Sequence, residues 1–292
     1  MHETAGDTRR RPAATGRPRS SRRRAGAWGA RALVAVAALF ALFLGLPVLA
    51  LVARAILDGS LGVALGSRVV LDALWLSLVT TAVSLVLTVL LGLPLAFVLA
   101  RRRFRGKGLV EAIVDLPIVL PPSVAGLALL LVFGRRGVLA EPFELLGIAV
   151  PFTTVAVVLA QTFVSAPFFI RSARTGIAGV DRDLEDAARV DGASERQVFV
   201  AVTVPLAGAA LAAGLVMSWA RSLGEFGATI MFAGNVAGRT QTLPLVVYSE
   251  FQGGELDGSI AAAAILVLAA LGVLLAVRVF RWGRVIDLRG IS

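Results

Sequence analysis

Long, nearly uninterrupted runs of apolar residues dominate this chain and set its architecture. Six such runs cover residues 28–53, 70–100, 109–133, 148–170, 206–232 and 259–280. Each is longer than the ~20 residues with which a helix crosses a bilayer. The strands of a membrane barrel would be ~10 residues long and would alternate apolar with polar positions, which these runs do not. The pattern predicts an all-α, polytopic membrane protein with six transmembrane helices.

Basic residues collect on one side of the predicted spans. If the N-terminus is inside, 23 of the 29 Lys and Arg residues fall in inner segments. The outer segments hold Arg54, Arg68, Arg135, Arg136 and Arg239, and Arg221 lies within a span. Because cytoplasmic loops carry such an excess of positive charge, we expect both termini to lie on the cytoplasmic side of the cytoplasmic (inner) membrane.

The first 26 residues are polar and basic, with eight arginines among Pro, Ser, Thr, Gly and Ala. A segment with no apolar face cannot fold alone, so we expect residues 1–26 to form a disordered cytoplasmic tail. Its charge is expected to fix topology and to contact anionic membrane lipid rather than nucleic acid. The run that follows is too long for the apolar region of a secretory signal, so the first span is expected to stay uncleaved.

Composition narrows the chemistry that the chain can perform. Its 292 residues are 57% hydrophobic and 16% charged, with no cysteine and one histidine, His2. Thiol chemistry, zinc clusters and histidine base catalysis are therefore excluded. The only lysine, Lys107, is followed by Gly108, so no phosphate-binding G-x-x-x-x-G-K-[ST] loop exists. We expect no catalytic residue, metal site or cofactor in this chain; any ATP and Mg must be bound by a partner.

The segment between the fourth and fifth spans, residues 171–205, is patterned as two short helices. Asp181 can cap a first helix with an acidic opening turn, and Gly192 can end it. Ser194, with Gln197 three residues on, predicts a capping box for a second helix. A loop of this length inside a compact membrane domain is usually functional. We expect a helix, a glycine turn and a helix at the cytoplasmic surface.

This loop contains Asp186-Ala187-Ala188, three residues, Gly192, nine residues and Val202-Thr203-Val204-Pro205. It resembles the loop of ABC importer permeases, whose pattern is E-A-A, three residues, G, nine residues, I-x-L-P. The departures at positions 186, 202 and 204 are conservative, and Glu185 could supply the longer carboxylate. In that family the loop is a coupling helix that docks on the ATPase. The resemblance implies coupling roles for Glu185, Asp186, Ala187, Ala188, Gly192, Ala193 and Pro205.

Further stretches within residues 70–280 resemble molybdate and tungstate permeases. They are L-P-I-V-L-P-P-S-V-A-G at 116–126, F-G-R-R-G at 133–137 and S-L-G-E-F-G-A-T at 222–229, continuing to Tyr248. The G-E-F-G element is shared with sulfate and thiosulfate permeases, and the stretch 234–248 favours molybdate. The resemblance implies the type I ABC importer fold, acting as a homodimer. It also implies two ABC ATPase subunits and an external oxyanion-binding protein, either periplasmic or a lipoprotein.

Polar residues inside the spans are candidates for a translocation pathway. Arg221 and Glu225 lie four residues apart, so an ion pair can offset the cost of two charges at membrane depth. The pair is either a structural brace or part of a path that offers donors to an oxyanion. The pathway candidates are Ser123, Gly126, Ser218, Arg221, Ser222, Glu225 and Thr229.

Prolines at 117, 121 and 122 are expected to kink or unwind the third span, because each removes a backbone donor. The break is either a packing kink or the wall of a cavity near Ser123 and Gly126. In the fourth span, Gln161, Thr162 and Ser165 ahead of Pro167 are open to the same cavity interpretation, although such residues more often bridge neighbouring helices.

These patterns favour an ATP-driven importer of molybdate or tungstate that performs no covalent chemistry itself. A dianion entering a cell ~100 mV negative inside faces ~4.6 kcal/mol before any concentration gradient, so a passive pore could not accumulate it. A sulfate or thiosulfate permease is the alternative within the class. An ion-driven secondary transporter would need embedded carboxylates or inverted repeats, and Glu225 is the one well-embedded candidate. A membrane enzyme is the weakest alternative, since no nucleophile, base and metal ligands cluster.

Overall fold

In the computed structural model, backbone is described for residues 20–287 and side chains for residues 32–275. Every regular element in this part of the chain is helical, which confirms the all-α prediction. The helices are α1 Ser20–Leu57, α2 Ser60–Gly66, α3 Arg68–Arg101, α4 Lys107–Val119, α5 Pro122–Phe133, α6 Ala140–Leu145, α7 Thr154–Ala178, α8 Arg182–Val190, α9 Glu195–Val198, α10 Val204–Leu206, α11 Gly208–Leu223, α12 Gly227–Phe232, α13 Leu243–Gln252 and α14 Leu256–Asp287.

Four of the described helices, α1, α3, α7 and α14, are each long and apolar enough to cross a membrane. The segment up to Ala50 forms one unit, and the chain from Leu51 onward forms the compact unit that carries the candidate site. The expected disordered tail differs from the structure at its end, since α1 already begins at Ser20. Residues 20–26 contain only Ser, Arg, Ala and Gly and follow Pro18, so the apolar helix can extend back to that point. The rest of the tail, residues 1–19, lies outside the described residues.

The third predicted span is two helices, α4 and α5, whose axes differ by 119°. The break falls at Leu120 and Pro121, where the prolines deprive the backbone of donors, as the sequence predicts. Of the two residues beside which a cavity is expected, Gly126 is buried and Ser123 is exposed, and the cavity stays a prediction. A Cβ atom on Gly126 would lie 2.7 Å from the Ala228 carbonyl oxygen, so this glycine lets α5 and α12 touch.

The fifth predicted span, 206–232, is also not one continuous helix. Its entry is bent by 73° between α10 and α11, and α11 stops at Leu223 before α12 begins at Gly227. The Glu225 carboxylate accepts a hydrogen bond from the Ala228 backbone N–H at 2.6 Å. This contact replaces the helical acceptor and starts a new helix, which the uniformly apolar composition does not reveal.

The centre of the membrane unit is a bundle of α3, α7 and α11 with buried hydroxyl groups between the helices. The Thr162 hydroxyl donates to the Ser84 oxygen at 3.1 Å, and the Ser218 hydroxyl donates to the Ser165 carbonyl at 2.7 Å. Small residues allow such close approach, and interhelical hydrogen bonds in membranes contribute about 0.6 kcal/mol each. The expected bridging role of the fourth-span hydroxyls is therefore correct for Thr162, whereas the Gln161 Oε1 and Ser165 Oγ atoms are buried without a partner in the described part.

Candidate functional site

The loop between α7 and α11 contains a short helix, α8, with both predicted ends. The Asp183 backbone N–H donates to the Asp181 carboxylate at 3.1 Å, which caps the first turn. Gly192 has φ 89°, a conformation that side chains disfavour, and it allows the Ala193 N–H to reach the Ala188 carbonyl at 3.0 Å. The glycine turn therefore ends α8 where the sequence predicts.

The second short helix, α9, begins with the predicted capping box. The Ser194 N–H donates to the Gln197 side chain at 2.8 Å, and the Gln197 N–H donates back to the Ser194 hydroxyl at 3.4 Å. The chain then continues through one π-helical turn, Phe199–Thr203, into α10, which contains Pro205. Proline cannot donate to the preceding turn, and the wider turn re-forms the ladder around it.

Glu185 is the buried anchor of this loop, only 4% exposed. Its Oε1 atom accepts hydrogen bonds from the Arg101 guanidinium and the Thr203 hydroxyl, both at 2.7 Å. Arg101 also donates to the Val180 carbonyl at 3.1 Å. The Glu185 carboxylate in α8 thus connects the end of α3 with Thr203, which lies in the last part of the loop before α10. We call Arg101, Glu185 and Thr203 the loop anchor.

The loop anchor changes the picture drawn from sequence. The Glu185 side chain is buried. Of the two neighbouring carboxylates, Glu185 and Asp186, the one at the surface is therefore that of Asp186. The motif spacing pointed to neither Arg101, counted only as one of many inner charges, nor Thr203, part of an apolar stretch. The position of Arg101 directly after the second span was the available indication.

Arg189 connects the two short helices at the exposed surface of the loop. Its guanidinium donates to Asp186 at 2.6 Å and to the two Glu195 oxygens at 2.7 and 3.2 Å. The hydrogen bond from Arg189 lowers the pKa of Glu195, and the same contacts raise the pKa of Arg189. The two short helices are therefore clamped across the glycine turn by an exposed, charge-assisted network.

Two more ion pairs fix α4 to α7 near the loop. Arg174 contacts Glu111 at 2.6 Å, and Arg171 contacts Asp115 at 3.3 Å. These pairs lie at the end of α7 that leads into the loop, so the ends of α3, α4 and α7 that adjoin the loop are tied together beside it.

Arg221 and Glu225 form the predicted ion pair within the fifth span. Glu225 is 1% exposed and also caps α12, whereas the Arg221 side chain is partly exposed. The pair therefore braces the break between α11 and α12 and leaves part of the Arg221 side chain at the surface of the chain.

The remaining pathway candidates fall into two groups. Ser218, Ser222 and Thr229 are buried within the protomer, and the Ser222 hydroxyl approaches the Ser84 hydroxyl at 3.5 Å. Gly126 is packed against α12, whereas Ser123 is exposed. The structure brings Arg221 and Glu225 together and keeps only Ser123 and Arg221 of the set at the surface.

Helices long and apolar enough to cross a membrane, a loop with the E-A-A spacing and a buried ion pair within a predicted span are typical of a membrane transport component. A sequence model of the family described as "Binding-protein-dependent transport system inner membrane component" matches residues 88–286. The chain belongs to this family. It is a membrane component of a transport system and not an enzyme, as the sequence predicts.

Similar proteins with names that specify a transport system include the following three permeases. The molybdenum transport system permease protein ModB of Mycobacterium tuberculosis is 45% identical over 205 residues, which cover 70% of this chain and 77% of that protein. The molybdate/tungstate transport system permease protein WtpB of Pyrococcus abyssi is 35% identical over 241 residues, covering 82% and 89%. The probable transport system permease protein NifC of Clostridium pasteurianum is 40% identical over 205 residues, covering 70% and 71%.

Solved structures agree on the fold. A bacterial ABC transporter involved in alginate import superposes with a TM-score of 0.69 at 18% identity, covering 87% of this chain and 94% of that chain. The inward-facing MetNI methionine ABC transporter gives 0.58 at 20% identity, covering 73% and 95%. These likenesses confirm the predicted ABC importer transmembrane fold.

Proposed function

We propose that this chain is the permease subunit of an ATP-driven ABC importer that moves molybdate or tungstate across the cytoplasmic membrane. The observation that carries the proposal is the loop with the E-A-A spacing, which is presented as a rigid hairpin by the loop anchor. The molybdate and tungstate permeases among its relatives, at 35–45% identity, support the choice of anion.

The exposed face of the hairpin suits a protein partner. Val190 is 88% exposed, and Leu184, Ala187 and Gly192 are exposed on the same loop. Apolar and small side chains at a charged membrane surface favour close contact with another protein. We assign this face to an ABC ATPase subunit that binds ATP and Mg, with the exposed Asp186 carboxylate available to a basic side chain of that subunit.

The orientation of the complex follows from the loop. The hairpin lies at the same end of the unit as the Arg-rich segment 101–107, and positive charge favours the cytoplasmic side. In this arrangement both termini are cytoplasmic, and an external oxyanion-binding protein meets the opposite end. A second copy of the chain completes the translocation pathway.

Arg221 is the residue we assign to the oxyanion path. Its side chain is partly exposed, and it balances the buried Glu225 charge through one of its nitrogen atoms, so the guanidinium has further N–H groups to offer a passing dianion. Removing this donor by Arg221→Gln should lower the rate of uptake while the complex still assembles. Unchanged uptake by the assembled variant would exclude the pathway role.

Sulfate or thiosulfate is the competing substrate, because the G-E-F-G element at 224–227 is common to those permeases. The decisive experiment is uptake of labelled molybdate, tungstate and sulfate by vesicles that carry the full complex with its binding protein. We expect ATP-dependent uptake of the first two, with sulfate a weak competitor. Preferred uptake of sulfate would overturn the anion assignment, and uptake without the ATPase would overturn the importer.

A further inference from the structure

A second charged feature lies at the opposite end of α7 from the coupling loop. A cavity of about 650 Å³ opens there, and three arginines, Arg135, Arg136 and Arg239, line it. The 25 residues of α7 separate this cavity from the loop by about 37 Å at ~1.5 Å per residue. With the loop on the cytoplasmic side, as proposed above, the cavity lies at the outer face of the unit. We call it the outer arginine cavity.

The arginines reach the cavity from two distant parts of the chain, on turns that are fixed by hydrogen bonds. After α5 the Val138 N–H donates to the Leu131 carbonyl at 3.0 Å, which folds the turn carrying Arg135 and Arg136. The Thr240 N–H donates to the Val236 carbonyl at 2.9 Å, and the Arg239 carbonyl accepts from the Thr154 hydroxyl at 2.9 Å. The three arginines are therefore brought together by hydrogen-bonded turns of the fold.

The positive charge of this cavity is not offset by ion pairs in the described part of the chain. Within the side chains described, residues 32–275, no carboxylate forms an ion pair with any of the three arginines. Arg54, another outer arginine, has both Asp58 and Asp257 as partners. Guanidinium groups that share one cavity repel each other, so the arrangement favours an anion between them.

The other residues that line the cavity are suited to contact with a small anion and with an adjoining apolar group. Leu130, Leu131, Pro151 and Phe152 supply apolar surface, and Thr153, the N-cap residue of α7, contributes a polar group. The planar fork of a guanidinium matches the oxygen pairs of a tetrahedral oxyanion, and several forks can share one such group.

We propose that the outer arginine cavity binds a tetrahedral oxyanion. Two ligands on the outer side of the cytoplasmic membrane contain such a group. One is a free oxyanion, and the other is the phosphate of an anionic lipid headgroup whose acyl chain lies on the apolar lining. The site is separate from the Arg221 pathway, and its existence does not depend on which anion the complex transports.

The test uses the assembled permease–ATPase complex in phosphatidylcholine nanodiscs. Equilibrium dialysis with labelled sulfate and molybdate measures free oxyanion, and mass spectrometry of complexes extracted from mixed membranes measures retained phosphatidylglycerol. We expect one of the two ligands to bind saturably, and phosphate to compete with it while chloride of equal ionic strength does not. This arm needs no variant.

The variants Arg135→Gln, Arg136→Gln and Arg239→Gln should each weaken that binding about tenfold or more, because a charge-assisted hydrogen bond is lost. Arg68→Gln is the matched control, since it removes one exposed outer arginine that lies outside the cavity. It should change binding by less than about twofold, as expected for a remote, solvent-screened charge.

Three results would overturn the site. They are the absence of both free-oxyanion and anionic-lipid binding, an equal loss in Arg68→Gln, and arginine variants that lose only stimulation by the external binding protein. The last result would make the cavity a protein-docking surface. A complex that imports sulfate instead of molybdate would refute the proposed function and leave this site intact.

Discussion

Replacing Glu185 by Gln tests whether the loop anchor holds the coupling hairpin in place. The amide keeps the shape of the side chain but removes the charge opposite Arg101, whose side chain is almost as buried as that of Glu185. Breaking a buried ion pair costs about 3–5 kcal/mol when one charge is left alone. The amide oxygen still accepts a hydrogen bond and Arg101 keeps the Val180 carbonyl, so we expect about 2–3 kcal/mol of local stability to be lost.

The loss should show as local opening of the loop rather than as unfolding of the membrane helices. Hydrogen exchange of the amides in α8, residues 182–190, should accelerate roughly 30- to 140-fold, since 1.4 kcal/mol is a factor of ten. In the assembled complex, ATP hydrolysis should respond less to loaded binding protein, and uptake per ATP should fall.

Two further variants test whether the change in hydrogen exchange is specific to the loop anchor. Glu195→Gln removes an exposed carboxylate from the same loop and should leave exchange in the first turn of α8 unchanged. In the double variant with Arg101→Gln, the combined effect should be smaller than the sum of the single ones. Unchanged exchange of α8 in Glu185→Gln, or additive effects in the cycle, would refute the loop anchor.

Three further predictions concern glycines and pH. Gly192→Val places a β-branched residue at φ 89°, so the complex should assemble but its ATPase should lose stimulation by substrate; normal stimulation would contradict the turn's role. Gly126→Ala should lower the thermal unfolding temperature, by an overpacking cost of about 1–3 kcal/mol, whereas Gly108→Ala meets no atom within 4 Å and should not lower it. Since Arg189 depresses the pKa of Glu195, their clamp should persist on acidification from neutral pH until the pH falls below the usual range of a glutamate, and exchange of α9 followed against pH should show the loss only there; loss near pH 6 would contradict it.

The local parts of the site were predictable from the sequence. The Asp181 cap, the Gly192 turn and the Ser194–Gln197 box each involve residues two to five positions apart. The Arg221–Glu225 pair follows from one turn of a helix. In these cases the chemistry of neighbouring residues decides the structure, so the pattern alone is sufficient.

The nonlocal parts were not predictable. Glu185 and Arg101 are 84 positions apart, and the apolar pattern does not show which of many inner arginines meets this carboxylate. Arg239 joins Arg135 and Arg136 only because separate turns converge at the start of α7. The close packing of Gly126 on α12 was not predictable for the same reason, since it depends on how two distant segments pack.

The buried hydroxyls bear on where an anion could pass. The Ser218 hydroxyl is bonded to the Ser165 carbonyl, and the Thr162 hydroxyl to the Val158 carbonyl and the Ser84 hydroxyl. All these contacts lie inside the α3–α7–α11 bundle, so the two hydroxyls stabilise the fold and are not free to solvate a dianion. A desolvated dianion requires water or donors along its whole path. Such donors remain at the surface of the bundle, where part of Arg221 is exposed. These contacts support the proposed route between this chain and a second copy, so the Arg221→Gln uptake assay must be carried out on the assembled complex.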